Sequence, residues 1–379
     1  EKSAAQNFDA ALNTLGIFYE DGKGVPVDFC KAVDFYRRAA ELGNQSAMVN
    51  LGCCYDDGTG VETDRKMAAG LYRKAALKGY DIGQYNLALC YEHGTGVRKN
   101  MSLAVKWYTK SAEQGYAAAQ NNLGVCYEDG IGVEQDSVQA VKWYKLAAEQ
   151  NDDVALRNLG EAYYYGDGVK KCYKKAVEYY TKAAELGNGK AFYKLGICYE
   201  DGLGVKKNPV KAFECFQKAA EDDYPEAVYY LGSCYYNGRG VEKDLAQAYY
   251  WHKKSAELGE TTGMNDIATC DYGIEIPERE KVEWLQKAAD AGDTFALCNL
   301  GVRYQLGKGV EKNEKMAMQL FRKSAKLNEP SAYYALYICY INGRGVRKNR
   351  QLALKYLHKS AELGYPKARK VLKMLESGK

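Results

Sequence analysis

Apolar and small residues along this chain fall into a pattern that repeats at long range. A small residue recurs at Gly16, Gly52, Ala88, Gly124, Gly160, Gly196, Gly232, Ala268 and Gly301, with Tyr337 closing the series, at steps of 36 broken by one step of 33. The residue before it is Leu in every unit except that of Ile267. Within the unit Leu195 to Asp223, the spacing of Ala191, Leu195, Cys198 and Tyr199 predicts one apolar face of a first helix. Gly202-Leu203-Gly204 ends that helix, because glycine accepts the positive-φ backbone of a tight helix exit.

A second helix follows. Twelve residues after the small position stands Asp28, Asp64, Asn100, Asp136, Asn208, Asp244, Asn313 or Asn349, the chemistry of an N-cap. Beyond it come alanines (Ala32, Ala68, Ala104, Ala140, Ala176, Ala212, Ala248) and aromatic pairs such as Trp107-Tyr108, Trp143-Tyr144 and Tyr179-Tyr180. Small residues on one helix are expected to receive large ones from its neighbour. Gly43, Gly79, Gly115, Gly187, Gly259, Gly292 and Gly364 then end the second helix. The chain reads as about ten copies of one helix-turn-helix device, which grows by stacking neighbours and not around a domain-sized core.

Composition narrows the function classes. Lys and Arg number 53 against 49 Asp and Glu, a net charge of only +4, so no global field argues for nucleic acid or a membrane surface. No run approaches the ~18 apolar residues of a membrane span. The opening EKSAAQN matches KSAEQG at Lys110 to Gly115, so the reading is of a fragment of something longer, with 1–379 as one repeat array. Seven of the twelve cysteines (Cys54, Cys90, Cys126, Cys198, Cys234, Cys270, Cys339) lie two residues after the small position and repeat with the fold. Equivalent positions on stacked helices lie about 10 Å apart, too far for the ~7 Å limit of a disulfide, so these are expected as buried free thiols. That points to a reducing, cytoplasmic compartment, with a secreted bacterial factor or the ER lumen as the alternative.

The combination LGxxY, GxGV and A...WY.KAAE.G resembles the Sel-1-like repeat family, relatives of tetratricopeptide repeats, over nearly the whole chain. The resemblance implies an all-α, right-handed α-solenoid of about ten 36-residue repeats whose first helices line a concave surface. It also implies adaptors or scaffolds without a shared catalytic activity. Two stretches depart from the pattern. Near 268–292 the GxGV turn is replaced by CDYGIEIPERE, Asp271 stands where nine other repeats have Tyr, and three residues are missing. This eighth repeat is expected either to keep packing through Trp284, Leu285, Ala288 and Ala289 or to mark a bend or partner contact. At 366–379, YPKARKVLKMLESGK begins like a first helix but puts Lys373 at the small position and surrounds it with Arg369 and Lys370, which predicts a solubilising capping helix.

Candidate chemistry is sparse. A dinucleotide-binding loop needs a strand before it, and here a helix precedes each GxGV. His93, His252 and His358 have no ligand partners at metal-binding spacing, and no nucleophile has an activating context. The reading is therefore of no enzyme, no metal and no cofactor. Carboxylates cluster at the ends of first helices (Glu20-Asp21, Asp56-Asp57, Glu92, Glu128-Asp129, Glu200-Asp201), where they oppose the helix dipole. They are expected either to be compensated by a neighbouring repeat's backbone or lysines, or to form an acidic rim for a basic ligand. The turn basics Arg98-Lys99, Lys170-Lys171, Lys206-Lys207 and Arg347-Lys348 read as solvated turns.

The most informative polar row lies two residues before the small position: Asn50, Asn86, Asn122, Asn158 and Asn299, with Asp266 in the eighth repeat. A carboxamide both donates and accepts, so such a row suits an extended ligand backbone. It equally suits hydrogen bonds to the adjacent repeat, and the two readings stay open. After the fifth repeat the row becomes Lys194, Tyr230 and Asp266, and the position before it reads Arg157, Tyr193 and Tyr229. Tyr and Arg are the residues that anchor interfaces. The candidate protein- or peptide-binding residues are thus Asn50, Asn86, Asn122, Asn158, Arg157, Tyr193, Lys194, Tyr229 and Tyr230. The expected function is a non-enzymatic scaffold that binds a protein or extended peptide, without nucleic acid or membrane insertion. A structural or oligomerising rod, or a regulatory module of a larger enzyme, is the alternative.

Overall fold

The computed structural model describes residues 2–376, with side chains from Phe8 to Leu375. Among the described residues the chain is 72% helical, in 21 helices with no strand, as the two-helix period predicts. It divides into two compact units, Glu1–Ala191 with Leu203–Val205, and Phe192–Gly202 with Lys206–Lys379. The first unit holds α1 (Lys2–Asp21), α2 (Phe29–Glu41), α3 (Gln45–Asp57), α4 (Arg65–Leu77), α5 (Asp81–His93), α6 (Met101–Glu113), α7 (Ala117–Asp129), α8 (Ser137–Ala148), α9 (Asp153–Tyr165) and α10 (Tyr173–Glu185). Helix α11 (Gly189–Asp201) starts at the boundary. The second unit continues with α12 (Pro209–Glu221), α13 (Pro225–Asn237), α14 (Leu245–Glu257), α15 (Thr261–Thr269), α16 (Glu278–Asp290), α17 (Thr294–Leu306), α18 (Glu314–Lys326), α19 (Pro330–Asn342), α20 (Arg350–Glu362) and α21 (Pro366–Glu376). Odd helices are the first of each repeat and even ones the second.

All eight predicted caps form. Asp28, for instance, accepts from the backbone N–H of Lys31 at 3.0 Å, Asn100 from Leu103 at 3.1 Å and Asn349 from Leu352 at 2.9 Å. Each satisfies a donor that the first turn of a helix leaves without an intrahelical partner. The cap residue's own N–H closes the turn by donating back to the first helix, as Asn100 does to the Tyr91 carbonyl at 2.8 Å.

The small position is a notch for a ring. A Cβ at Gly160 would lie 2.4 Å from Cδ1 of Tyr180, and one at Gly124 would lie 2.5 Å from Cε1 of Tyr144. Gly196 with Phe216, Gly232 with His252 and Gly301 with Phe321 repeat the contact. These rings are fully buried. The small residue of the first helix thus receives a large one from the second: glycine lets the two backbones close around a ring. Of each aromatic pair only the second member enters this notch. Trp107 stays half-buried with Lys110 Nζ 4.6 Å from its ring, while Tyr108 is fully buried. Two repeats put a leucine where the others put a ring, although Ala88 keeps Tyr108. Leu285 occupies the ring position of Ala268's repeat, and Leu357 that of Tyr337's.

From the second repeat on, the second glycine of each GxG turn joins neighbouring repeats. A Cβ at Gly96 would come 2.0 Å from the Arg65 carbonyl oxygen, and at Gly309 it would come 2.2 Å from that of Glu278. Both glycines also hold positive φ, +69° and +75°, so no other residue fits without strain. The turn read as punctuation is thus also a joint.

The eighth repeat keeps its second helix in the core through Trp284, Leu285, Ala288 and Ala289, the first of the two readings of this stretch. Its first helix, α15, has 9 residues where its neighbours α13 and α17 have 13. After Thr269 the chain turns inward and buries Tyr272 and Ile276.

Candidate protein-binding site

The polar row and the position before it interlock between repeats. Asn50 Nδ2 donates to Asn13 Oδ1 at 3.0 Å, Asn158 to Asn121 Oδ1 at 2.9 Å, and Asn299 to Asn265 Oδ1 at 2.8 Å. In each case the donor stands two residues before the small position and the acceptor three residues before it in the preceding repeat. The seam continues with other chemistry. Asn122 Nδ2 donates to the Tyr108 hydroxyl of the preceding repeat at 3.4 Å, Tyr229 donates its hydroxyl to Asp266 Oδ2 at 3.1 Å, and the Tyr193 and Tyr230 rings meet edge-on at 5.6 Å.

Burial divides the candidate residues. Asn158 is buried and committed to its neighbour, whereas Asn50, Asn86, Asn122, Arg157, Tyr193, Lys194, Tyr229 and Tyr230 are half-buried. Arg157 pairs with Glu161 one turn along α9 at 3.1 Å. The four asparagines and Arg157 lie in the first unit, and Tyr193, Lys194, Tyr229 and Tyr230 in the second. Tyr193 belongs to an aromatic cluster, with Tyr224 at 5.3 Å and Phe216 at 6.2 Å between ring centroids. Tyr230 stacks on Phe216 at 5.1 Å, and Tyr229 on His252 at the same distance.

The acidic helix ends find a partner that the sequence reading missed. Tyr36 donates to Glu20, Tyr108 to Glu92 at 2.5 Å and Tyr144 to Glu128 at 2.6 Å. The ring that fills the glycine notch thus carries a hydroxyl to the carboxylate four residues further along the first helix. For these three carboxylates compensation comes from a tyrosine of the same repeat. Burial pushes the Glu128 carboxyl up, and pushes the Tyr144 hydroxyl up as well. Glu200 departs from this pattern because Phe216 brings no hydroxyl, and it pairs with Arg239 instead. The constant 16-residue spacing from Glu to Tyr was the available signal. Buried Gln84 and Gln120 form a further seam that was not foreseen: exposed Gln114 donates to Gln84 at 2.8 Å and exposed Gln150 to Gln120 at 2.9 Å.

Six of the seven periodic cysteines are buried, and Cys270 is half-buried just past the shortened α15. Burial pushes the Cys90 and Cys126 thiols up to about 11 and the Cys198 and Cys234 thiols up to about 12, away from nucleophilic or metal-binding thiolate. His252 is buried at 1% exposure; its Nδ1 lies 2.6 Å from the Tyr272 hydroxyl and its Nε2 lies 3.3 Å from Ser233 Oγ. Among the described residues no three His, Cys, Asp or Glu gather as a metal site, and no helix is long and apolar enough to cross a membrane.

Stacked helix pairs joined by glycine turns and side-chain seams define a helical-repeat solenoid. The Sel1 repeat model matches residues 9–44, 45–80, 82–116, 117–152, 153–188, 190–224, 225–260, 282–293, 294–329 and 330–365, and the chain belongs to that family. The short 282–293 match skips the shortened helix of the eighth repeat. The structure is similar to c5321, a protective antigen present in uropathogenic Escherichia coli strains and displaying an SLR fold. That likeness has 34% identity and a TM-score of 0.78, and covers 98% of this chain and 81% of that one. A Sel1 repeat protein from Oxalobacter formigenes shares 36% identity with a TM-score of 0.58, over 64% of this chain and 96% of that one. No curated protein matches the chain. Sel1 repeat proteins generally mediate protein–protein interactions, as non-catalytic scaffolds.

Proposed function

We propose that this chain is a non-enzymatic scaffold whose first helices hold an extended peptide or a protein surface, on the face expected to be concave, with residues 1–379 acting as one array. The observation that carries the reading is the half-burial of Arg157, Tyr193, Lys194, Tyr229 and Tyr230 at matching positions of successive first helices. Half-buried Tyr and Arg held by neighbours offer large contact area at low ordering cost. In the first unit Asn86 and Asn122 are the proposed backbone binders, while Asn50 and Asn158 contribute mainly to joining repeats. A cytoplasmic location belongs to the same proposal, supported by the use of cysteine as buried packing.

The test pairs two measurements on one variant. Once a partner is isolated, Asn86→Ala with Asn122→Ala should weaken its binding by about 1–3 kcal/mol, two typical hydrogen bonds, with little change in melting temperature. Tyr193→Ala and Tyr229→Ala should change which partners are retained. A destabilised double variant that binds as tightly as the parent chain overturns the reading.

A further inference from the structure

Two departures from the repeat pattern lie against each other. Helix α15 ends at Thr269, four residues short of its neighbours, because Cys270 takes extended backbone angles (φ −80°, ψ 153°). In the next repeat Arg303 stands where most repeats place the packing cysteine. Its Nη2 donates to the Ala268 carbonyl at 2.8 Å, capping the shortened helix, and its other arm pairs with Glu278. Arg303 side-chain exposure is 15%, so the guanidinium fills part of the place of the missing turn.

It does not fill all of it. A cavity of about 500 Å³ remains between the end of α15, the loop after it and α17. Its apolar lining is exposed: Ile274 at 48%, Val302 at 36% and Leu306 at 53%. Leu306 is itself a departure, since the last residue of the first helix is Asp in α1, α3, α7 and α11 and Asn in α13 and α19. Lys281, Arg303 and Lys308 border the cavity against Asp271 and Glu278, three cations to two carboxylates, an excess of one positive charge. Glu278 is already engaged by both Lys281, at 2.9 Å, and Arg303. Asp271 accepts from the Gly273 backbone N–H at 2.9 Å.

We propose that this notch holds the C-terminal end of a partner protein, its last aliphatic side chain on Ile274, Val302 and Leu306 and its carboxylate toward Lys308 and Lys281. The volume suits a segment of a few residues. An exposed apolar floor beside surplus positive charge is what an aliphatic group carrying a carboxylate complements. This inference rests on the protein-binding reading above, but it uses residues outside the asparagine row of the first unit.

The experiment follows the Ile274, Val302 and Leu306 methyl resonances of the whole chain during titration with acetyl-Ser-Gly-Leu as the free acid. Saturable shifts with a Kd of about 1 mM are expected for so small a ligand. The same peptide as its C-terminal amide should bind at least tenfold more weakly. Leu306→Asp and Lys308→Glu, both exposed changes, should each abolish the shifts while the melting temperature holds. Absence of saturable shifts overturns the proposal, as does equal binding of the amide. Tighter binding of acetyl-Leu-Glu-amide than of the free acid overturns the assignment to a chain end. If the notch fails while a partner is still lost on Asn86→Ala with Asn122→Ala, the scaffold reading stands without it.

Discussion

His252 Nδ1 and the Tyr272 hydroxyl lie 2.6 Å apart, a bond that ties the second helix of the seventh repeat to the loop replacing the standard turn in the eighth. The two residues are 1% and 2% exposed, and Tyr229 stacks on the imidazole at 5.1 Å with its own hydroxyl on Asp266. His252 takes the notch position at Gly232 that Tyr or Phe takes in seven other repeats. The irregular repeat is thus accommodated by an irregular residue in its neighbour.

A pH dependence follows. Burial lowers the His252 pKa from 6.5 to about 4. Above 6.5 the imidazole is neutral in both the folded and unfolded chain, so it contributes no slope. Between 6.5 and about 4 the unfolded state takes up a proton that the folded state refuses, and stability falls with pH. The loss by pH 4 approaches about 3 kcal/mol. Thermal melts of the parent chain and His252→Phe across this range check it: the variant should lack this share of the acid sensitivity, and identical pH profiles would refute the assignment.

The glycine notch predicts a compensating pair. Gly160→Ala places a methyl 2.4 Å from the Tyr180 ring, yet the third repeat carries Ala88 with Tyr108 in the ring position, so a small backbone shift can admit it. The expected cost is about 1–3 kcal/mol, the range for overpacking. Adding Tyr180→Leu copies the Ala268 and Leu285 combination and should restore part of it. A double-mutant cycle in urea measures the coupling, and strict additivity would contradict the notch.

Hydroxyls on the acidic helix ends should be separable from ring packing. Tyr144→Phe keeps the ring and removes the donor to Glu128, which is 2.6 Å away, for an expected loss of about 1–3 kcal/mol. Phe216→Tyr supplies the sixth repeat with the donor that Glu200 lacks there, and should be neutral or stabilising. Melting temperatures that move the other way in both variants would count against the Tyr–Glu bond.

Asn158→Ala and Asn86→Ala should differ in stability. The first leaves the buried Asn121 Oδ1 without the donor it has at 2.9 Å and should cost about 1–3 kcal/mol. The second alters a half-buried side chain and should stay within about 0.5 kcal/mol. Chemical denaturation of the two variants decides whether this row joins repeats unevenly.

Native thiol labelling should be graded. Cys30, exposed on α2, should react first, while Cys198, buried and pushed up to about 12, should react only as the repeat opens. Early and equal labelling of both would mean that the periodic cysteines are not core.

The 36-residue period, the helix caps and the turn glycines were legible in the sequence because each is set by local backbone geometry: an Asp or Asn at a helix start and a glycine at positive φ act on their own neighbours. The class of fold followed from their repetition, and so did the inward face of Leu195 and Cys198. Tertiary structure decided what those residues meet. That Gly160 receives Tyr180, that Tyr144 satisfies Glu128, and that Asn158 is bound to Asn121 while Asn86 stays half-exposed all depend on how two helices or two repeats are offset. Such an offset is fixed by packing summed over the whole contact, and no single residue carries it. Arg303 shows the same limit, since its departure from the cysteine pattern is visible in the sequence but its meaning is not. The reason lies 35 residues away, in a helix that ends early and leaves a carbonyl for the guanidinium to cap.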